Sequence, residues 1–339
     1  MNYFLPLIDT SQPSNQLING NFDFWQVGTT TTVANTVSTY LADQWYVKNS
    51  LGTNGVITYS QNAAGLTGSA FGAKVQITFA PTALQTNGCE LYQVLENKDT
   101  LLLLDKACSF SIQVKALGNV NQVGIQFYYA TSEVKLTNSI GSEQFVSVST
   151  GSFTLCTLAN QVLSSSTVTT SGVVGVRIRI ADVSSGNNYD LNNGFIVEQA
   201  MMNVGPSSAS FQRRGSSITQ ELSMCQRFYQ KSYNLATSPG TGAATAGMYT
   251  LTASGISAFT QGYIPFKPTM RSTPSMSLYD RAGNGNAFSW YNATATRTDG
   301  ATTANQGFTN TGVSSTLFGL TPNTAAVALM FHYVADARI

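Results

Sequence analysis

The octapeptide VVGVRIRI at Val173–Ile180 sets Val174, Val176, Ile178 and Ile180 on one side of an extended chain and Gly175, Arg177 and Arg179 on the other. Successive side chains of a strand point to opposite faces, so this period of two spells a β-strand with one face in a core and one in water. The same alternation recurs in KVQITF, where Val75, Ile77 and Phe79 oppose Gln76 and Thr78. It recurs again in CSFSIQVK, where Cys108, Phe110, Ile112 and Val114 oppose Ser109, Ser111 and Gln113. Further strands are expected at 56–59, 89–95, 123–129, 145–148 and 195–203, with turn-rich pieces at 65–68, 119–122 and 184–188. Many short strands with no helical run between them predict an all-β fold, an antiparallel two-sheet sandwich of jelly-roll type over residues 14–205.

One segment breaks the period. SSITQELSMCQRFYQKS, residues 216–232, carries Ile218, Leu222, Cys225 and Tyr229 at helical spacing, and Ser217 with Gln220 fits a capping box. It predicts a connecting amphipathic helix of about three turns inside a linker at 206–235. Beyond it, strands are expected at 248–254, 275–279, 287–291, 316–319 and 326–334, after a Gly/Ala/Thr-rich stretch at 239–247. These form a smaller C-terminal β-domain at 236–339. Residues 1–13, with Pro6 and Pro13, read as an N-terminal arm.

Composition narrows the function. The 339 residues carry 17 Lys+Arg against 16 Asp+Glu, a net charge of +1, and charged residues make up only 10%. Nucleic-acid binding needs clustered cations, and the longest basic run is Arg213-Arg214, so no nucleic-acid partner is expected. No apolar run approaches the roughly 18 residues of a membrane helix, and MNYFLPLIDT lacks the marks of a leader; a soluble chain without membrane insertion is expected. Cys89, Cys108, Cys156 and Cys225 are far apart and form no CxxC pair, so they read as reduced core residues. His332 is the sole histidine, and any imidazole-based hydrolase would have to be built around it. With no phosphate-binding loop, HExxH or EF-hand motif, the chain is not expected to be an enzyme.

LINGNFDFWQVGTT at 17–30 and YLADQWYV at 40–47 resemble the opening of jelly-roll modules in tail-fibre and other appendage proteins of tailed bacteriophages. The matching positions are Asn19, Gly20, Phe22, Trp25, Gln26, Ala42, Asp43 and Trp45, with Asn21 and Gln44 as departures. GFIVEQAMMNVGPSSASFQRR at 194–214 and ELSMCQRFYQKSY at 221–233 are similar to that family's passage from its last strand into a helix. YIPFKPTMRSTPSMSLYD at 263–280 and the terminal HYVADARI resemble its C-terminal domain. The resemblance implies a jelly roll like that of carbohydrate-binding modules and a homotrimer on the virion exterior, assembled in the host cytoplasm. It also implies contacts to other capsid or tail proteins through the arm, and a host glycan as ligand. A modest C-terminal core independently favours burying an apolar face against identical copies, and the resemblance implies that this assembly is three-fold. No cofactor is expected, but modules of this kind often carry a structural Ca²⁺ near the first and last strands. Asn21, Asp23 and Glu198 are the candidate ligands, since Ca²⁺ takes oxygen donors.

Saccharides are gripped by aromatic faces beside hydrogen-bonding side chains. Tyr92, Tyr128, Tyr129, Trp290 and Tyr291 are the candidate contacts; Tyr128 and Tyr129 are adjacent, so one must point outward. Trp25 and Trp45 are expected in the core. Arg177 and Arg179 are expected to pair with nearby carboxylates. The expected function is a structural phage protein, an external fibre or appendage that binds host-surface saccharide. A capsid decoration or cement protein without receptor is the alternative. A glycan depolymerase is a second alternative, which would need paired carboxylates about 5 to 9.5 Å apart.

Overall fold

The computed structural model describes residues 14–82, 88–181, 189–252, 260–294, 296–302, 307–309, 311–320 and 326–339. The expected arm at 1–13 and turn at 184–188 lie outside these. The first part of the chain forms strands β1 (Thr30–Ala34), β2 (Ser38–Tyr40), β3 (Trp45–Lys48), β4 (Val56–Ala63), β5 (Phe71–Phe79), β6 (Glu90–Val94), β7 (Ala107–Leu117), β8 (Gln122–Ala130), β9 (Asn138–Ser147), β10 (Thr154–Val162), β11 (Val173–Ile180) and β12 (Gly194–Val204). They assemble into two six-stranded sheets, β1-β4-β5-β12-β7-β10 and β2-β3-β6-β11-β8-β9. Every register resolved within them is antiparallel. This is a jelly-roll β-sandwich.

The inward faces follow the period of two. Val176 of β11 lies opposite Phe127, and Ile178 lies opposite both Ile125 and Leu91, all buried. From the other sheet Val75, Ile77, Phe110, Ile112, Val114 and Phe195 are fully buried. At roughly 1.5–3 kcal/mol for each large apolar side chain removed from water, this double layer is the main stabilising term.

Three expectations are corrected. The polar side of β11 is not in water: all eight residues of the strand are buried, because neighbouring side chains cover Arg177 and Arg179. Phe79 does not share the core with Val75 and Ile77; a register shift between Val56 and Ile57 turns it outward, and it is 56% exposed. A short helix, α1 (Asn97–Leu101), also interrupts the strands where none was expected. It is fixed by Thr100, whose hydroxyl accepts from Val174 N–H at 3.0 Å.

Two compact units emerge. Among the described residues, the first comprises those within 14–22, 32–39 and 47–214, and the second those within 23–31, 40–46 and 215–339. Two pieces of the motif-bearing N-terminal region thus belong to the second unit. That unit holds helix α2 (Ile218–Gln226), capped by the Ser217 side chain accepting from Gln220 N–H at 3.2 Å. The helix is shorter than expected. It stops before Tyr229, which lies in β13 (Tyr229–Lys231) opposite Asp336, and Ile218 is half exposed. The remaining strands are β14 (Tyr249–Thr252), β15 (Thr260–Pro265), β16 (Ser275–Tyr279), β17 (Ala287–Asn292), β18 (Arg297–Thr302), β19 (Gly307–Thr309), β20 (Ser315–Leu320) and β21 (Ala326–Asp336). β21 is the hub, pairing with β13, β14, β16 and β17, and its Leu329, Phe331 and Tyr333 pack with Phe266, Met270 and Phe288.

The recurring motif residues are structural. Trp25 and Trp45 are buried, as expected. Gln26 donates from its backbone N–H to Asp43 Oδ1 at 3.0 Å and from its side chain to Oδ2 at 2.6 Å. Lys231 donates to the carbonyls of Gln26, Leu235 and Thr237 at 2.5, 2.9 and 2.6 Å. Burial pulls the Lys231 ammonium down to about 8, while the Asp43 charge pulls the other way. Arg338 stacks over Tyr40 and Tyr229, with its guanidinium carbon 4.8 and 4.5 Å from the ring centres.

Candidate functional site

Arg177 lies at the centre of β11, only 5% exposed, on the face of the second sheet that points away from the core. A guanidinium removed from water must find acceptors, and here they come from three strands. Nη1 donates to Glu90 Oε1 of β6 at 3.1 Å; Nη2 donates to Gln126 Oε1 of β8 at 3.1 Å and to Glu143 Oε1 of β9 at 2.8 Å. Glu143 is shared with Arg179, whose Nε and Nη2 donate to its two oxygens at 2.7 and 2.6 Å. Burial would lower the Arg179 pKa, but the bonds and charge of Glu143 more than offset it and hold it above the usual value. The expectation that both arginines pair with carboxylates is met. Glu143 reaches them across Gly124: a Cβ there would lie 2.1 Å from Glu143 Oε1.

Two residues along β8 from Gln126, Tyr128 takes the same face. The Arg177 guanidinium sits 4.5 Å from its ring centre, a cation–π contact, and Tyr92 meets it edge-on at 5.7 Å. Burial pushes the Tyr128 phenol up, with Arg177 pulling it down less strongly, so the hydroxyl is neutral at physiological pH. Together these side chains floor a groove of about 260 Å³. Lys48 and Ser50 form one wall, Leu136 and Thr137 another. Leu136 fits because β11 has no side chain at Gly175: a Cβ there would lie 2.8 Å from its Cδ1.

Tyr92 and Tyr128 are brought together, with Tyr128 half-buried at the groove and Tyr92 buried behind it at 2% exposure. Tyr129 takes the opposite parity on β8 and is not part of the groove lining. Trp290 and Tyr291 belong to the second unit, on β17. There Trp290 packs against the hydrophobic cluster, and the Tyr291 hydroxyl accepts from Arg281 Nη1 at 2.8 Å. Glu90, Gln126, Glu143 and Lys48 were missed by the sequence reading; for Glu90 and Gln126 the signal that could have found them was the alternation of polar residues with core residues in β6 and β8, whereas Glu143 on β9 and Lys48 at the end of β3 lie outside that signal.

The candidate calcium ligands are placed as follows. Glu198, fully buried, accepts from the backbone N–H groups of Gly65 and Leu66 at 2.7 and 3.1 Å. Asn21 donates to Gly68 O and accepts from Ser69 Oγ, both at 2.9 Å. Both side chains hold the 65–69 loop. Asp23 belongs to the second unit. Among the described residues no three His, Cys, Asp or Glu side chains form a group able to hold a metal ion.

His332 is buried in the second unit. Its Nδ1 lies 2.9 Å from Ser232 Oγ, its Nε2 lies 3.1 Å from Ala244 O, and its ring stacks on Tyr233 at 3.6 Å. With Nε2 donating to the carbonyl, Nδ1 accepts the Ser232 proton, while Ser232 Oγ accepts from Tyr333 N–H at 3.0 Å. The pair bridges strands and lines no part of the groove. All four cysteines are free and buried, as expected.

No protein-family model matches the chain, and neither does any curated protein. Among solved structures it is similar to a putative sugar-binding protein from Bacteroides thetaiotaomicron (12% identity, TM-score 0.39, covering 56% of this chain and 100% of that one). It is also similar to the N-terminal CBM22-1–CBM22-2 tandem domain from Paenibacillus barcinonensis Xyn10C (9% identity, TM-score 0.34, covering 97% and 91%). A third similarity is to the enzymatically active domain of bacteriophage CBA120 tailspike protein 4 (9% identity, TM-score 0.31, covering 56% and 21%).

Proposed function

We infer that the chain is a non-enzymatic glycan-binding protein whose ligand lies in the groove on the outer face of the second sheet. The observation that carries this reading is the partly exposed Tyr128 ring, fixed by Arg177 and Tyr92 at the floor of a cavity whose remaining lining, Leu136 apart, is of hydrogen-bonding groups. A rigid aromatic ring with donors and acceptors around it suits the apolar C–H face and hydroxyl edge of a sugar. Glu90 and Glu143 are both engaged by guanidinium groups, which gives them a role in holding the floor of the groove. The resemblance of the Trp25-Gln26 and Ala42-Asp43 motifs to phage appendage modules supports a place on a virion exterior, in three copies that multiply a weak single-site affinity. A glycan array probed with the full chain tests the reading. Binding that disappears in Tyr128→Ala supports it, and an array with no binding at any saccharide refutes it.

A further inference from the structure

The groove has an unbalanced charge. Glu90 and Glu143 are engaged by Arg177 and Arg179, whereas Lys48 on the wall is exposed and has no acidic partner among the described residues. Three cations therefore stand along this face against two carboxylates. Arg177 Nε is buried without an acceptor among the described residues, an unmet donor on a guanidinium whose charge is already paired with Glu90 and Glu143, so the unpaired cation of the groove is Lys48. Low-dielectric walls focus such a field into the cleft rather than letting water disperse it. Ser50 adds a hydroxyl at the Lys48 end, 3.5 Å from Glu90 Oε2. The volume, about 260 Å³, is below the roughly 300–1,000 Å³ of pockets for drug-sized ligands, which favours a small ligand or one terminal unit of a longer one.

We propose, building on the glycan reading above, that the groove takes a saccharide bearing a carboxylate, a uronate or a nonulosonate, with the carboxylate at Lys48 and the ring against Tyr128. A neutral hexose would leave the Lys48 ammonium to water, whereas a carboxylate forms a charge-assisted hydrogen bond with it. The arginines hold the floor in place, and Lys48 selects.

The test is isothermal titration of the full chain with trigalacturonate and its methyl ester, and with sialyllactose and lactose, for wild type and Lys48→Gln. Lys48 is exposed, so the substitution leaves the fold intact. Within each pair the two sugars share a core and differ in the acid group. The expected result is that at least one acid binds about tenfold more tightly than its uncharged counterpart, the size expected of one hydrogen bond between charged groups. Lys48→Gln should reduce that preference to less than about threefold, as should raising salt to about 500 mM. Which acid is preferred separates the uronate from the nonulosonate. Equal affinity for acid and uncharged partner, both lost in Tyr128→Ala, overturns the charge assignment and leaves the glycan reading standing. Binding of none of the four sugars by a chain that does bind other, neutral glycans on an array also overturns the charge assignment alone. Absence of binding to every saccharide overturns both.

Discussion

Replacing Gly124 by alanine should break the network beneath the groove without touching any of its charged residues. The added methyl would lie 2.1 Å from Glu143 Oε1 and 2.7 Å from its Cδ, so the carboxylate must leave the position from which it bridges Arg177 and Arg179. Removing one partner of a buried ion pair costs about 3–5 kcal/mol. The Glu143 side chain is 12% exposed and Arg179 10%, so water recovers part of this, and exchanging glycine for alanine in a strand returns up to about 1 kcal/mol. The expected net loss is about 2–4 kcal/mol. In a unit of this size that lowers its melting temperature by roughly 5–12 °C in calorimetry. The decisive comparison is a double-mutant cycle with Glu143→Ala. Once the carboxylate is gone, Gly124→Ala should cost less than about 1 kcal/mol. An equal cost in both backgrounds would mean the methyl collides with something other than Glu143, and a cost below about 0.5 kcal/mol in the wild type would mean the network tolerates its displacement; either result refutes the account.

Three further outcomes follow from buried polar groups elsewhere. Lys231→Met should destabilise the second unit by about 2–4 kcal/mol in denaturant unfolding, because three carbonyls lose their donor. Burial holds the His332 pKa below its usual value, with the Ala244 carbonyl opposing more weakly. The unfolded chain therefore takes up the proton first, so stability is complete above pH of about 6.5 and declines as pH falls below it; melting curves from pH 7.5 to 5 should show the decline, and His332→Gln should flatten it. Burial pushes the thiols of Cys108 and Cys156 up to about 11 and about 12, and all four thiols are buried. A thiol reagent at pH 8 should therefore label none in the native chain and four after denaturation.

The sandwich was legible because its central strands obey one period. Val173–Ile180 and the Cys108–Val114 stretch could be read directly, and each is a strand or lies within one. The misreading of β11 has a plain physical cause: local period says nothing about what covers the polar side. Arg177 and Arg179 have the alternation of a solvated face, yet side chains from β6, β8 and β9 bury them, and those strands are remote in sequence. β10 was missed because Leu155 and Cys156 are adjacent apolar residues with opposite facing, which blurs the alternation; Leu155 is 53% exposed while Cys156 is buried. Helix α2 was overextended because Tyr229 continues the helical spacing, and only its pairing with Asp336, more than a hundred residues away, claims it for a strand. At the site, adjacency alone showed that Tyr128 or Tyr129 faces out, but not which.

The residues that resemble a known family and the residues that line the groove are different sets. Gln26, Asp43, Trp45 and Tyr229 are buried and make or flank the polar cluster of the second unit, where a substitution removes a donor or acceptor that nothing else replaces. Lys48, Ser50 and Thr137 lie outside those motifs on the groove walls, where each side chain is at least partly in water. Exposed positions tolerate exchange at little cost in stability, typically within about 0.5 kcal/mol, whereas unpaired buried polar groups cost about 1–3 kcal/mol each. The wall can thus change its charge and its preferred sugar while the scaffold beneath keeps its sequence. On this reasoning Lys48→Glu should leave the melting temperature within about 2 °C of wild type while moving the preference away from acidic saccharides; a change confined to stability would place Lys48 in the scaffold and not in the selecting wall.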